Sequence, residues 1–149
     1  MKQLSKLLIP TMFLFLITAC GGSDREMITC KNAKEDDGLR IETEVISYFV
    51  DDQLDETTFE FQYNLDNTYQ PYIDQIEQGI KEDYKDIIDQ KGVHLETEKK
   101  NDNQIDVTLT ATFSNMDNDT KEYFDMIPLE SGIEEYKKTM EEKGYTCYD

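Results

Sequence analysis

Cysteine and histidine are the scarce reactive residues of this chain, with three Cys and one His in 149 positions. The histidine, His94, stands on the polar parity of a short strand pattern beside Val93 and Leu95, so it reads as a surface side chain rather than a general base. No serine sits in a Gly-x-Ser-x-Gly elbow, and no glycine-rich phosphate loop is present. Carboxylates are abundant, 33 in all. They could include an acid/base pair of the glycosidase kind, but their spacing selects no two of them, and a solvated face accounts for them. The best metal candidate is the alternating Asn115, Asp117 and Asp119. A calcium loop of the EF-hand pattern would also need Gly at the sixth position and Glu at the twelfth, where this chain has Thr120 and Met126. An Asx-rich turn is the simpler reading. The expectation is therefore a protein that is not an enzyme and carries no cofactor and no bound metal.

The cysteines carry more information. Lys2 and Lys6 precede an apolar run from Leu7 to Ile17, interrupted only by Pro10 and Thr11. That run is too short to span a bilayer, which takes about 20 residues, and it reads as a cleaved export signal. It ends in Ile17-Thr18-Ala19-Cys20-Gly21-Gly22, which resembles the bacterial lipobox. The resemblance implies that Cys20 becomes the mature N-terminus and carries a diacylglycerol. Two acyl chains hold far more firmly than the marginal grip of one. Cys30 and Cys147 remain, exported to where disulfides persist. They read either as a bridge closing a loop of over a hundred residues or as two separate buried thiols. A zinc site is disfavoured, since it wants four closely spaced ligands.

Charge and length bound the rest. The formal net charge is -18, and removing residues 1–19, with two lysines and no acid, makes it -20. Unaided nucleic-acid binding is excluded, because it needs clustered Lys and Arg. So is attraction to anionic lipid, which relies on basic clusters. Hydrophobic content of 38% with 11% aromatics suffices for one folded domain with one modest core. The expected organisation is a lipoprotein signal peptide at 1–19, a lipidated N-terminus and tether at 20–29, and a single domain at 30–149.

Within that domain, Leu39–Val50 alternates as a strand whose apolar parity changes from Leu39, Ile41 and Val45 to Ile46, Tyr48 and Val50. A β-bulge near Val45-Ile46 is expected from that switch. Thr57, Phe59, Phe61, Tyr63 and Leu65 alternate with polar residues in a second strand. Pro71 opens a helix of about twenty residues carrying Ile73, Ile76, Ile80, Tyr84 and Ile87, closed by Lys91 and Gly92. Val93–Thr97 and Ile105–Phe113 form a second hairpin. Ser131 and Glu134 make a capping box for a helix through Lys143, ended by Gly144, and Tyr145–Tyr148 is a last strand. The fold class is thus α+β, an antiparallel sheet of two hairpins plus a C-terminal strand with two main helices on one face, in the order ββαββαβ. A faint repeat of 52 residues relates Phe61, Tyr84-Lys85 and Lys91-Gly92 to Phe113, Tyr136-Lys137 and Lys143-Gly144.

This order of parts, with a lipobox cysteine, Thr29-Cys30, a long helix closed by Lys91-Gly92-Val93 and a C-terminal cysteine, resembles the YehR-like family of small bacterial lipoproteins, whose function is uncharacterised. The resemblance implies lipid attachment at Cys20 and pairing of Cys30 with Cys147. The expected function is a lipid-anchored extracytoplasmic binding or adaptor module of the cell envelope, with an envelope protein or small ligand as partner. The alternative is a divalent-cation-binding or cation-sensing envelope protein. Abundant Lys, Ile, Asn and Tyr with only two arginines favour a Gram-positive host and the outer leaflet of its cell membrane.

Overall fold

The longest alternating segment becomes the spine of the fold. In a computed structural model that describes residues 24–149, strand β3 (Gln53–Leu65) lies inside a six-stranded antiparallel sheet. The expected signal peptide, Cys20 and the first residues of the expected tether lie outside the described residues. The strands are β1 (Arg25–Asp36), β2 (Leu39–Val50), β3, β4 (Val93–Asn101), β5 (Gln104–Thr112) and β6 (Thr146–Tyr148), in spatial order β4-β5-β3-β2-β1-β6. Three α-helices accompany them, α1 (Ile73–Asp83), the single turn α2 (Asn118–Lys121) and α3 (Ile133–Glu142). The class is α+β, with one more strand and one more helix than expected.

The extra strand is β1. It begins at Arg25, inside the segment expected to be tether, and pairs with β2 along its whole length. Only Ile28 and Cys30 of its twelve residues are buried, so no period-2 signal marks it. The legible sign was the turn Asp37-Gly38, both in the left-handed region that a tight hairpin requires.

β2 corrects the expected parity switch. Val45, Ser47 and Phe49 are buried in unbroken alternation, and the register shift falls later, between Tyr48 and Phe49 opposite β3. A serine occupies a core position because its hydroxyl is matched there. Ser47 Oγ lies 2.6 Å from Tyr136 Oη and 3.0 Å from Thr57 Oγ1, and all three residues are fully buried. A satisfied hydroxyl removes the desolvation cost that parity rules assume.

The apolar faces of β3 and β5 follow the expected alternation and carry the core. α3 packs Tyr136 and Met140 into a cluster with Ile28, Val45, Phe49 and Phe59, while α1 packs Ile73 and Ile80 with Leu65, Ile105 and Val107. Phe61, Tyr84 and Leu95 touch both clusters, which places the two helices over one face of the sheet. α1 is shorter than expected. After Asp83 the chain continues in tight turns, with the Ile87 N–H donating to the Tyr84 carbonyl, and these turns carry Ile87 into the other cluster. Gly92 closes the segment at φ 88, and a Cβ there would meet the Thr112 carbonyl oxygen at 2.7 Å.

The repeat survives only in part. The two hairpins share one sheet, and Gly92 and Gly144 have matching left-handed φ. Phe61 lies in β3 whereas Phe113 begins a 3-10 turn, and Tyr84 caps α1 whereas Tyr136 lies within α3.

Candidate functional site

The two cysteines that the described residues contain are joined. Cys30 and Cys147 form a disulfide with S–S 2.03 Å, directly opposite each other across β1 and β6. Three residue pairs tie β6 to β1, and Lys137 holds the C-terminal Asp149 carboxylate at 2.8 Å. The short last strand is thus held at the sheet edge by one covalent bond and a few polar contacts.

The helices leave the opposite face of the sheet bare. Register aligns a row across it, Lys31–Glu44–Glu60–Thr108–Glu96, with a neighbouring row Glu42–Gln62–Asp106–Glu98. Glu44 and Glu60 face each other directly, a like-charge pair that sheets ordinarily avoid. Lys31 relieves part of this, its ammonium lying 2.9 Å from the Glu44 carboxylate, and the hydrogen bond it donates to Glu44 raises its pKa. Lys100 serves Glu98 and Asp106 in the same way at the other side. Toward the N-terminal end of the face, Arg25 stacks 4.4 Å from the Tyr48 ring centre, and Met27 and Tyr148 are exposed.

The second feature is a cleft of about 1060 Å³ at the tip of the β2–β3 hairpin. Val50 and Leu54 of the hairpin, Phe113 and Leu129 form its apolar part, and Asp51, Asp55, Glu122, Asp125 and Glu130 its acidic part. The hairpin tip is fixed. Asp52, in the left-handed region at φ 61, accepts a hydrogen bond from the Ile133 N–H at 2.9 Å and so caps α3. This corrects the expected Ser131–Glu134 capping box. The N-cap is Gly132, whose missing side chain admits the Asp52 carboxylate, with which a Cβ at Gly132 would collide at 2.4 Å. Only the tertiary fold brings Asp52 there, from 81 residues away.

The remaining sequence candidates stay separate. His94 is exposed on the bare face with Nε2 3.0 Å from Glu96. Asp117 is the N-cap of α2, accepting from the Thr120 N–H at 2.8 Å, and these Thr120 hydrogen bonds hold its carboxyl below the usual range. That is the Asx-turn reading of Asn115, Asp117 and Asp119. Among the described residues, no three His, Cys, Asp or Glu side chains converge on a point suited to a metal, and no helix is long and apolar enough to cross a membrane. Cys20 lies outside the described residues.

No protein-family model and no curated protein matches the chain. Among solved structures it is similar to the NMR structure of a protein from Streptococcus pneumoniae TIGR4, at TM-score 0.60 and 16% identity, covering 99% of this chain and 96% of that one. At that identity the likeness concerns the fold alone.

Proposed function

We propose that the chain is a lipid-anchored extracytoplasmic lipoprotein, acylated at Cys20, that works as a non-catalytic binding or adaptor module of the cell envelope. The observation that supports this best is the division of the sheet into a face sealed by α1 and α3 and a face that no helix covers. The uncovered face is mostly polar, with an apolar end at the exposed Met27 and Tyr148 and the half-buried Tyr48. A bare, register-ordered face is a surface for recognition by shape and charge. Within this reading the host is Gram-positive, the site the outer leaflet of its cell membrane, the partner an envelope protein or small ligand, and the chain a relative of the YehR-like lipoproteins. Detergent phase separation tests the anchor. The protein is expected in the detergent phase and its Cys20→Ser variant in the aqueous phase, and retention of the variant with detergent refutes acylation. Pull-down with the lipidated protein tests the module, which fails if no envelope component is retained above an unrelated lipoprotein.

A second reading draws on the facing Glu44–Glu60 pair, whose repulsion a divalent cation would relieve. Calorimetry with calcium at physiological salt decides it, and the absence of saturable heat removes it.

A further inference from the structure

The cleft at the β2–β3 tip joins apolar side chains to an acidic rim that no lysine pairs with. On the bare face and along α1 some acids are paired with lysines, as in Lys31–Glu44, Lys81–Glu77, Lys99–Asp74 and Lys100–Glu98. Others, such as Glu60, Asp86 and Asp89, form no ion pair among the described residues but have no apolar floor beside them as the cleft does. In the cleft, Asp51, Asp55, Glu122, Asp125 and Glu130 form no ion pair among the described residues, and the one lysine lining it, Lys121, forms none either. These acids surround apolar side chains of Val50, Leu54, Phe113 and Leu129. A polar small molecule has little to gain from that floor, and an apolar one is opposed by the uncompensated rim. Both parts together suit a ligand that is apolar on one side and cationic on the other.

Size narrows the class. A helix about 10 Å across occupies about 420 Å³ per turn, so a cleft of about 1060 Å³ accommodates roughly two to three turns. Position narrows it further. The Asp51 N–H donates to the Asp24 carbonyl and Arg25 pairs with Val50, so the chain enters the fold beside the cleft mouth. Three residues lie between Cys20 and Asp24, a reach of at most about 14 Å when extended.

We propose that this cleft docks a cationic amphipathic peptide segment, its apolar side on the Val50–Leu54–Leu129 floor and its Lys and Arg side chains against the acidic rim. The inference rests on the binding-module reading and supplies its partner class. If Cys20 carries the anchor, the occupant is met at the membrane surface, where such segments concentrate on anionic lipid.

The test uses protein processed by the cell and reconstituted in zwitterionic lipid discs, with empty discs as the blank. The probe is a fluorescent Leu/Lys amphipathic peptide of roughly four turns. Saturable binding is expected, weakening as salt is added. A Ser/Lys peptide of equal charge is expected to bind about tenfold or more weakly, and so is the probe to a Glu122→Lys/Asp125→Lys/Glu130→Lys variant. A Glu82→Lys/Asp86→Lys/Asp89→Lys variant, of the same net charge but altered away from the cleft, is expected to stay within about twofold. All six positions are exposed, and circular dichroism verifies the fold of both variants. Equal losses in the two variants, equal binding of the Ser/Lys peptide, or no saturable binding overturns the inference. The pull-down readout stands independently of these outcomes, so the module reading can survive the failure of this occupant.

Discussion

The buried hydroxyl cluster gives the sharpest expectation, because its three members are not equivalent. Ser47 is the hub, contacting Tyr136 Oη at 2.6 Å and Thr57 Oγ1 at 3.0 Å. Tyr136→Phe removes one hydroxyl and leaves Ser47 still bonded to Thr57, so the loss is one net hydrogen bond, about 1 kcal/mol. Ser47→Ala deletes the hub and strands two buried hydroxyls at once. At about 1–3 kcal/mol for each unsatisfied group, the expected cost is roughly 2–6 kcal/mol. The double variant relieves the Tyr136 orphan and is therefore expected to cost less than the sum, with a coupling of about 1–2 kcal/mol. The chain contains nine Tyr and no Trp, so tyrosine fluorescence with circular dichroism can follow urea unfolding. Midpoints should shift at constant slope, and Tyr136→Phe should lower Tm by about 3–5 °C. Equal costs for Ser47→Ala and Tyr136→Phe, or additivity within about 0.5 kcal/mol, would refute the hub reasoning.

Three further outcomes are expected. Replacing Cys30 and Cys147 by Ser should cost up to about 4.7 kcal/mol in the chain-entropy description, since the bridge spans 117 residues; a urea midpoint equal to that of the oxidised protein would contradict it. Asp52→Ala should cost about 1–2 kcal/mol by removing the α3 cap, whereas Asp52→Asn keeps an acceptor and tolerates positive φ, so equal losses in the two would show that the cap is not the cause. Burial pushes the Tyr136 hydroxyl up to about 12, against the opposing hydrogen bond with Ser47, and burial also pushes Tyr63 to about 12. The raised folded pKa means that stability is intact below pH 10 and is lost as pH rises toward 12, when only the unfolded tyrosines ionise. For Tyr136 alone the loss is about 2–3 kcal/mol, and a Tyr136→Phe variant with an unchanged alkaline slope would disprove its role.

Local pattern determined the elements whose neighbours in sequence are also their partners in burial. β3 and β5 alternate so regularly that their inward residues could be named, and Pro71, Gly92 and Gly144 mark boundaries through φ restrictions that act residue by residue. The pairing partners of an edge strand are not local. β1 offers only Ile28 and Cys30 to the core and is defined by its ladder with β2, so its residues look like tether until the sheet is assembled. Ser47 and Asp52 make the same point through chemistry. Tyr136, the more distant partner of Ser47, lies 89 residues away and the helix residue capped by Asp52 lies 81 away, so the burial of one and the role of the other are completed only when α3 docks. The proposed export signal and lipobox are readings of sequence alone, because such signals are read by processing machinery as a linear string. The cleft was not legible there, since its apolar floor and unpaired acids come from three separated stretches that close around one space only in the folded chain.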